Sequence, residues 1–224
     1  DALNTIALSG KLHDNVNNVD VDGTFEWVDG THIPVVGNGT YAAEWIFEPT
    51  DTEKYLTVSG RSNITVEKAQ QYGKVSMAGY TYGQAPSTPT LTDRTGDPNA
   101  QVTYVYAAAG SGSVQTWDIQ NPPALNAGTY RMYASIGDTD NYYGFEAVYC
   151  EFVVAKATPT YTVPTGLTAK YGQTLADVTL PDGWSWMDSS ESVGGASTAA
   201  KTFQAKFTPK DTENYNTVEN IELE

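Results

Sequence analysis

Three near-identical stretches constrain this chain more than any other feature: "DTEKY" at 51–55, "DTDNY" at 138–142 and "DTENY" at 211–215. Self-similarity on this scale points to an array of like units, not one large core. The likeness extends outward. Phe47, Pro49, Asp51, Thr52, Tyr55, Thr57 and Val58 match Phe207, Pro209, Asp211, Thr212, Tyr215, Thr217 and Val218. Upstream, "GTFEW" at 23–27 matches "GWSW" at 183–186, and "LNTIAL" matches "LADVTL". The middle copy is longer but related: "YGQAPSTPTL" at 82–91 aligns with "YGQTLADVTL" at 171–180, and "FEAVYCEFVVAKA" closes it much as "RSNITVEKA" closes the first. The chain of 224 residues therefore reads as three modules, 1–69, 70–157 and 158–224.

Strands are expected in every module. Tyr (15) and Gly (20) are heavily used, a mixture that favours strands and tight turns over helices. "TFQAKFTP" alternates, putting Phe203, Ala205 and Phe207 on one face; "VTYVYAA" and "TYRMYASI" alternate similarly. Gly and Pro punctuate the connections. No stretch sustains helical spacing, and no apolar run approaches the roughly 18 residues of a membrane span. The expected fold class is all-β.

Each acidic stretch lies between two strands. In the first and third copies Pro49 and Pro209 end the first strand, because Pro has no N–H for the ladder. Asp is expected to accept from backbone N–H groups one or two residues ahead and to shape an Asx-turn or short helical turn. Tyr then lays its ring on the core and sends its hydroxyl to a backbone partner, in the logic of a tyrosine corner. The stretch is thus expected to be a structural clamp.

Charge narrows the partners. The net charge is −15 with a pI near 4.3. Such a surface repels nucleic acid and anionic lipid, so neither nucleic acid nor membrane insertion is expected. The single cysteine, Cys150, forms no internal disulfide and lies in a strand-like run, "AVYCEFVV", which suits a structural thiol. No signal peptide or anchor motif is visible, and the opening "DALNTIALSG" reads as the start of an excised fragment.

Two sets of residues are candidates for binding. "NVDVDG" at 18–23 begins like a calcium loop, and Asn18, Asp20, Asp22 and Asp29 could converge as oxygen ligands if the segment coils. Alternation of Val with Asp also suits a polar hairpin insertion, since module three has only "LPDG" there. Calcium is the one cofactor considered. Trp45, Trp117 and Trp184 are the candidates for stacking on sugar rings, while Trp27 and Trp186 recur and read as core. Catalysis is not expected. His13 and His32 lack a metal-type pattern, "GSGS" at 110–113 is a flexible loop, and scattered carboxylates alone do not make a hydrolase.

The "YGQ" openings, the Gly-aromatic-x-Trp strand, "AGTY" and the "F-x-P-x-D-T-x-x-Y" turn together resemble the repeated bacterial surface modules called MBG (mostly β-grasp, YGX type) and their bacterial Ig-like relatives. The resemblance covers nearly the whole chain. It implies a tandem array of three small β-grasp-like or Ig-like modules, in a large secreted or wall-attached protein of Gram-positive bacteria, with no catalytic residues. It implies a stalk or spacer whose partners are the other domains of the same surface protein. The alternative is a carbohydrate- or host-ligand-binding module of an adhesin or multidomain glycanase, with glycans as partners. Aligned on Leu8, Leu91 and Leu180, the "YGQ" of module one would fall before residue 1. An opening strand would then be missing from module one, and its open sheet edge could recruit a second copy as a dimer.

Overall fold

The structure, a computed structural model, describes residues 1–37, 40–146, 149–196 and 199–224. Its regular structure is β, in several small and mostly antiparallel sheets; the other regular elements among the described residues are two 3₁₀ turns. The chain divides into two compact units. One holds Asp1–Tyr72, Arg94–Gln101 and Ile136–Phe145, and the other holds Gly73–Asp93, Val102–Ser135 and Glu146–Glu224.

The first unit opens with a 3₁₀ turn, Leu3–Thr5, that buries Leu3 at 1% exposure. Strands β1 (Leu12–Asp14) and β2 (Val19–Val21) form an antiparallel hairpin. Its turn carries Asn18 in the left-handed region, φ 56°, which Asn tolerates better than most residues. Strands β3 (Gly23–Trp27), β4 (Thr40–Pro49) and β5 (Val58–Thr65) form a three-stranded sheet with β4 central. Alternation along β4 sends Ala43, Phe47 and Pro49 inward, while Glu44 and Glu48 stay exposed. The Trp27 indole N–H donates to the Ile6 carbonyl at 2.9 Å and ties β3 to the opening turn.

The second unit contains a small pair, β6 (Lys74–Ser76) with β8 (Thr90–Thr92), and nearly all of a six-stranded sheet. The order in that sheet is β10 (Gln115–Thr116), β9 (Val102–Ala108), β11 (Gly128–Ile136), β13 (Cys150–Ala155) and β7 (Tyr80–Thr81), with β12 (Phe145–Glu146) beside β11. β7 runs parallel to β13; the other pairs with described register are antiparallel. Tyr104, Tyr106, Trp117, Met132, Phe152 and Val154 form its core. Cys150 is half-buried, and burial pushes its thiol pKa up, away from the reactive thiolate.

The last sheet repeats the plan of the first unit. A 3₁₀ turn, Leu175–Asp177, buries Leu175 at 2% exposure. Strands β14 (Trp184–Trp186), β15 (Phe203–Phe207) and β16 (Val218–Leu223) follow in the order β14-β15-β16. The Trp186 indole N–H donates to the Val178 carbonyl at 3.1 Å, the counterpart of Trp27 on Ile6. Both plans place Gly against a Phe ring. A Cβ at Gly23 would collide with the Phe47 ring and the Glu48 carbonyl, and one at Gly183, which has φ +85°, would lie 2.9 Å from the Phe207 ring.

Candidate functional site

The acidic turns are the most constructed feature of the surface. In the third copy Asp211 organises its own turn: its carbonyl accepts from the Tyr215 N–H at 3.2 Å, and its carboxylate accepts from the Asn214 N–H at 3.1 Å and the Asn214 side-chain amide at 2.9 Å. The Asn214 amide, first among several donors, holds the Asp211 carboxyl below its usual pKa. The first copy is built alike, with the Tyr55 N–H on the Asp51 carbonyl at 3.0 Å and the Lys54 N–H on its carboxylate at 3.2 Å. The middle copy turns differently. There the Thr139 N–H donates to the Tyr142 carbonyl at 3.0 Å, and Asp138 accepts from the Gly144 N–H at 2.6 Å. That N–H, with Lys68 beside it, lowers the Asp138 pKa. Gly144 is required at this point, because a Cβ there would lie 2.8 Å from the Ile136 carbonyl.

Two of the turns also hold a distant strand end. After β5 the chain runs through Lys68 to Ala69, which forms a parallel bridge with Tyr142. The Ala69 N–H donates to the Asn141 carbonyl and the Tyr143 N–H donates to the Ala69 carbonyl, both at 3.0 Å. After β13 the chain runs through Lys156 to Ala157, which bridges Tyr215 in the same sense. The Ala157 N–H donates to the Asn214 carbonyl and the Asn216 N–H to the Ala157 carbonyl, both at 2.9 Å. The preceding lysine fastens each joint: Lys68 pairs with Asp138 at 3.0 Å, and Lys156 donates to the Thr212 carbonyl at 2.5 Å.

The asparagine side chain adds a further tie. Asn141 Oδ1 accepts from the Val36 N–H at 3.0 Å, and Asn214 Oδ1 accepts from the Ala127 N–H at 2.7 Å. Val36 and Ala127 each lie just ahead of a strand that contains the "GTY" motif or its end. Asn214 is only 5% exposed, so its amide is fully committed to these contacts. The first copy has Lys54 in the asparagine's place, and Lys54 lies over the Tyr55 ring instead.

The tyrosines depart from the expected clamp. The Tyr55 hydroxyl reaches the Asp14 side chain at 3.3 Å, not a backbone group, because the β1–β2 hairpin brings Asp14 alongside. Asp14 is held at a pKa of about 2, first by the Asn17 side chain and backbone. Tyr215 packs edge-on against Tyr82, ring centres 5.5 Å apart.

The sequence-derived candidates fall in separate surroundings. Asp20 already meets two basic groups, Lys11 at 2.9 Å and His13 at 3.0 Å, and these hold its pKa down. Asn18 sits in the exposed hairpin turn, the Asp22 carbonyl accepts from the Thr50 N–H, and Asp29 caps Thr31. Among the described residues no three His, Cys, Asp or Glu side chains gather into a metal-holding group. Trp45 of β4 is half-buried opposite Gly60 of β5, where a Cβ would collide with the indole, and it meets Phe25 edge-on at 5.3 Å. Trp117 is 4% exposed, packed between Tyr106 and Phe152. Trp184 is half-buried against Tyr161 and Phe207, each 5.4 Å away. A cavity of about 480 Å³ lies elsewhere, lined in part by Tyr171, Leu175, Val178, Trp186 and Phe203, with Tyr171 83% exposed.

The sequence did not reveal the joints of Ala69 and Ala157, nor the ties of Asn141, which read there as a weak calcium oxygen beside Asp138 and Asp140, and of Asn214. The signal was present in the recurring "EKA" and "AKA" closings and in the Asn-versus-Lys difference before each Tyr. Among the described residues no helix is long and apolar enough to cross a membrane. Compared with protein-family models, curated proteins and solved structures, the chain finds no match.

Proposed function

We propose that this chain is a non-catalytic spacer of a large bacterial surface or secreted protein, built from three small modules of the MBG or bacterial Ig-like kind. The observation that carries the reading is the joint made twice: a Lys–Ala strand end bridged to an acidic turn, with an asparagine reaching back to the segment before the "GTY" strand. A linker that only connected two domains would need none of these bonds. Each joint commits backbone groups on both sides of the bridge, which restrains the chain where it leaves one module for the next. The partners are then the neighbouring domains of the same protein, and the acidic surface favours solubility. The test combines two measurements. Asn141→Ala and Asn214→Ala should each raise amide exchange at the corresponding bridge, and the native chain should show no saturable binding across a broad glycan panel with calcium present. Unchanged exchange in both variants would remove the basis of the spacer reading.

A second reading, carbohydrate binding, is favoured by the cavity beside Trp186 and the exposed Tyr171, since an aromatic face at a cavity mouth suits a sugar ring. Saturable glycan binding lost on Tyr171→Ala would establish it in place of the spacer.

A further inference from the structure

The first acidic turn shares the aspartate hydrogen bonds of the third, and among the described residues no strand end bridges it. The Lys54 carbonyl corresponds to that of Asn214, and the Leu56 N–H to that of Asn216. In the third copy these two groups hold Ala157. In the first copy neither the Lys54 carbonyl nor the Leu56 N–H has a hydrogen-bond partner among the described residues. Leu56 is 87% exposed and Lys54 is exposed as well. The turn itself is fully formed, because Asp51 accepts from both Lys54 and Tyr55 as Asp211 does from Asn214 and Tyr215.

We infer that the turn at Asp51–Leu56 is a docking seat for the Lys–Ala strand end of a further module of the same plan. This rests on the spacer reading and names the partner of its first turn. The occupant is identified by the chain's own two examples: an extended segment with a small residue at the bridge and a lysine before it. Bulk at the bridge position is unneeded, and the lysine suits a turn flanked by Asp51 and Glu53. The chain's own Lys–Ala ends, at 68–69 and 156–157, are already seated, so the occupant is a separate segment. The Lys54 ammonium cannot accept a hydrogen bond as the side-chain oxygens of Asn141 and Asn214 do, so this seat engages the strand end alone and forgoes the tie to the "GTY" side.

The probe is a capped peptide with the sequence of residues 153–159, "VVAKATP", titrated into the whole isotope-labelled chain. The expected result is a saturable shift and slowed exchange at the Leu56 amide at millimolar peptide. A peptide carrying Ala157→Pro lacks the N–H that the Lys54 carbonyl would accept, and should produce neither change. No saturable change at Leu56, or equal response to the proline peptide, overturns the inference. So do changes at Tyr143 and Asn216 in place of Leu56, because the peptide would then be displacing the chain's own ends. The spacer reading is tested separately by the asparagine variants, so the two can fail independently.

Discussion

Replacing Asn214 by alanine is the most informative single change. The side chain is 5% exposed, accepts from the Ala127 N–H at 2.7 Å and donates to Asp211 at 2.9 Å. Alanine leaves the part-buried Ala127 N–H without its acceptor and Asp211 without its principal donor. An orphaned buried donor costs about 1–3 kcal/mol, and the site's partial access to water puts the joint near about 2 kcal/mol. That corresponds to about a 30-fold shift between closed and open joint. Residue-resolved amide exchange at Ala127 and Ala157 reads it directly: both should exchange about 30-fold faster if the joint opens locally. Lys54→Ala is the matched control, since Lys54 is exposed and holds no second segment; it should change stability by less than about 0.5 kcal/mol. The reasoning is refuted if Asn214→Ala leaves exchange at both amides unchanged, or if the two variants behave alike.

Trp117→Ala should cost about 3–5 kcal/mol in denaturant unfolding, as an aromatic removed from a closed core, and Trp45→Ala clearly less, because Trp45 is only half-buried. Gly23→Ala should destabilise the first sheet by about 1–3 kcal/mol, since the new Cβ meets the Glu48 carbonyl, which cannot swing aside like a side-chain end. Acid should loosen both joints. The Asp138 and Asp211 carboxyls are held below their usual pKa, so their contribution is complete above the unfolded value of about 4 and is lost as pH falls through the lowered one. Amide exchange at Gly144 and Asn214, corrected for intrinsic pH dependence, should show that loss and no change between pH values of about 6 and 8.

Local chemistry was readable in the sequence wherever it acted within a few residues. The matched stretches "LNTIAL" and "LADVTL" both form 3₁₀ turns with a buried leucine, and in each case a Trp indole further along the chain donates to the matching carbonyl. Asp51 and Asp211 also act locally, but each accepts from the N–H three residues ahead, which makes a short helical turn and not an Asx-turn. The joints were not readable in this way. Val36 and Asn141 are 105 residues apart, and Ala127 and Asn214 are 87 apart, so no window of sequence contains both ends. Exposure of the tryptophans was hidden for a related reason: whether an indole faces solvent depends on which strands flank it, and Trp117 is closed in by Tyr106 from β9 and Phe152 from β13. The segment from Asn18 to Asp22 shows two patterns competing. Its oxygens suit a coiled ligand loop, but the Val–Asp alternation suits a strand, and the hairpin formed by β1 and β2 follows the alternation.

The central claim is that the acidic turn is a seat for a strand end, occupied twice and open once. Residue-resolved amide exchange on the native chain near neutral pH tests it most directly. The account predicts slow exchange at Ala69, Tyr143, Ala157 and Asn216, each a donor in a bridge, and exchange at Leu56 at least about tenfold faster. Exchange at those bridge amides as fast as at Leu56 would contradict it, and would reduce the repeated turn to a local loop with no partner to hold.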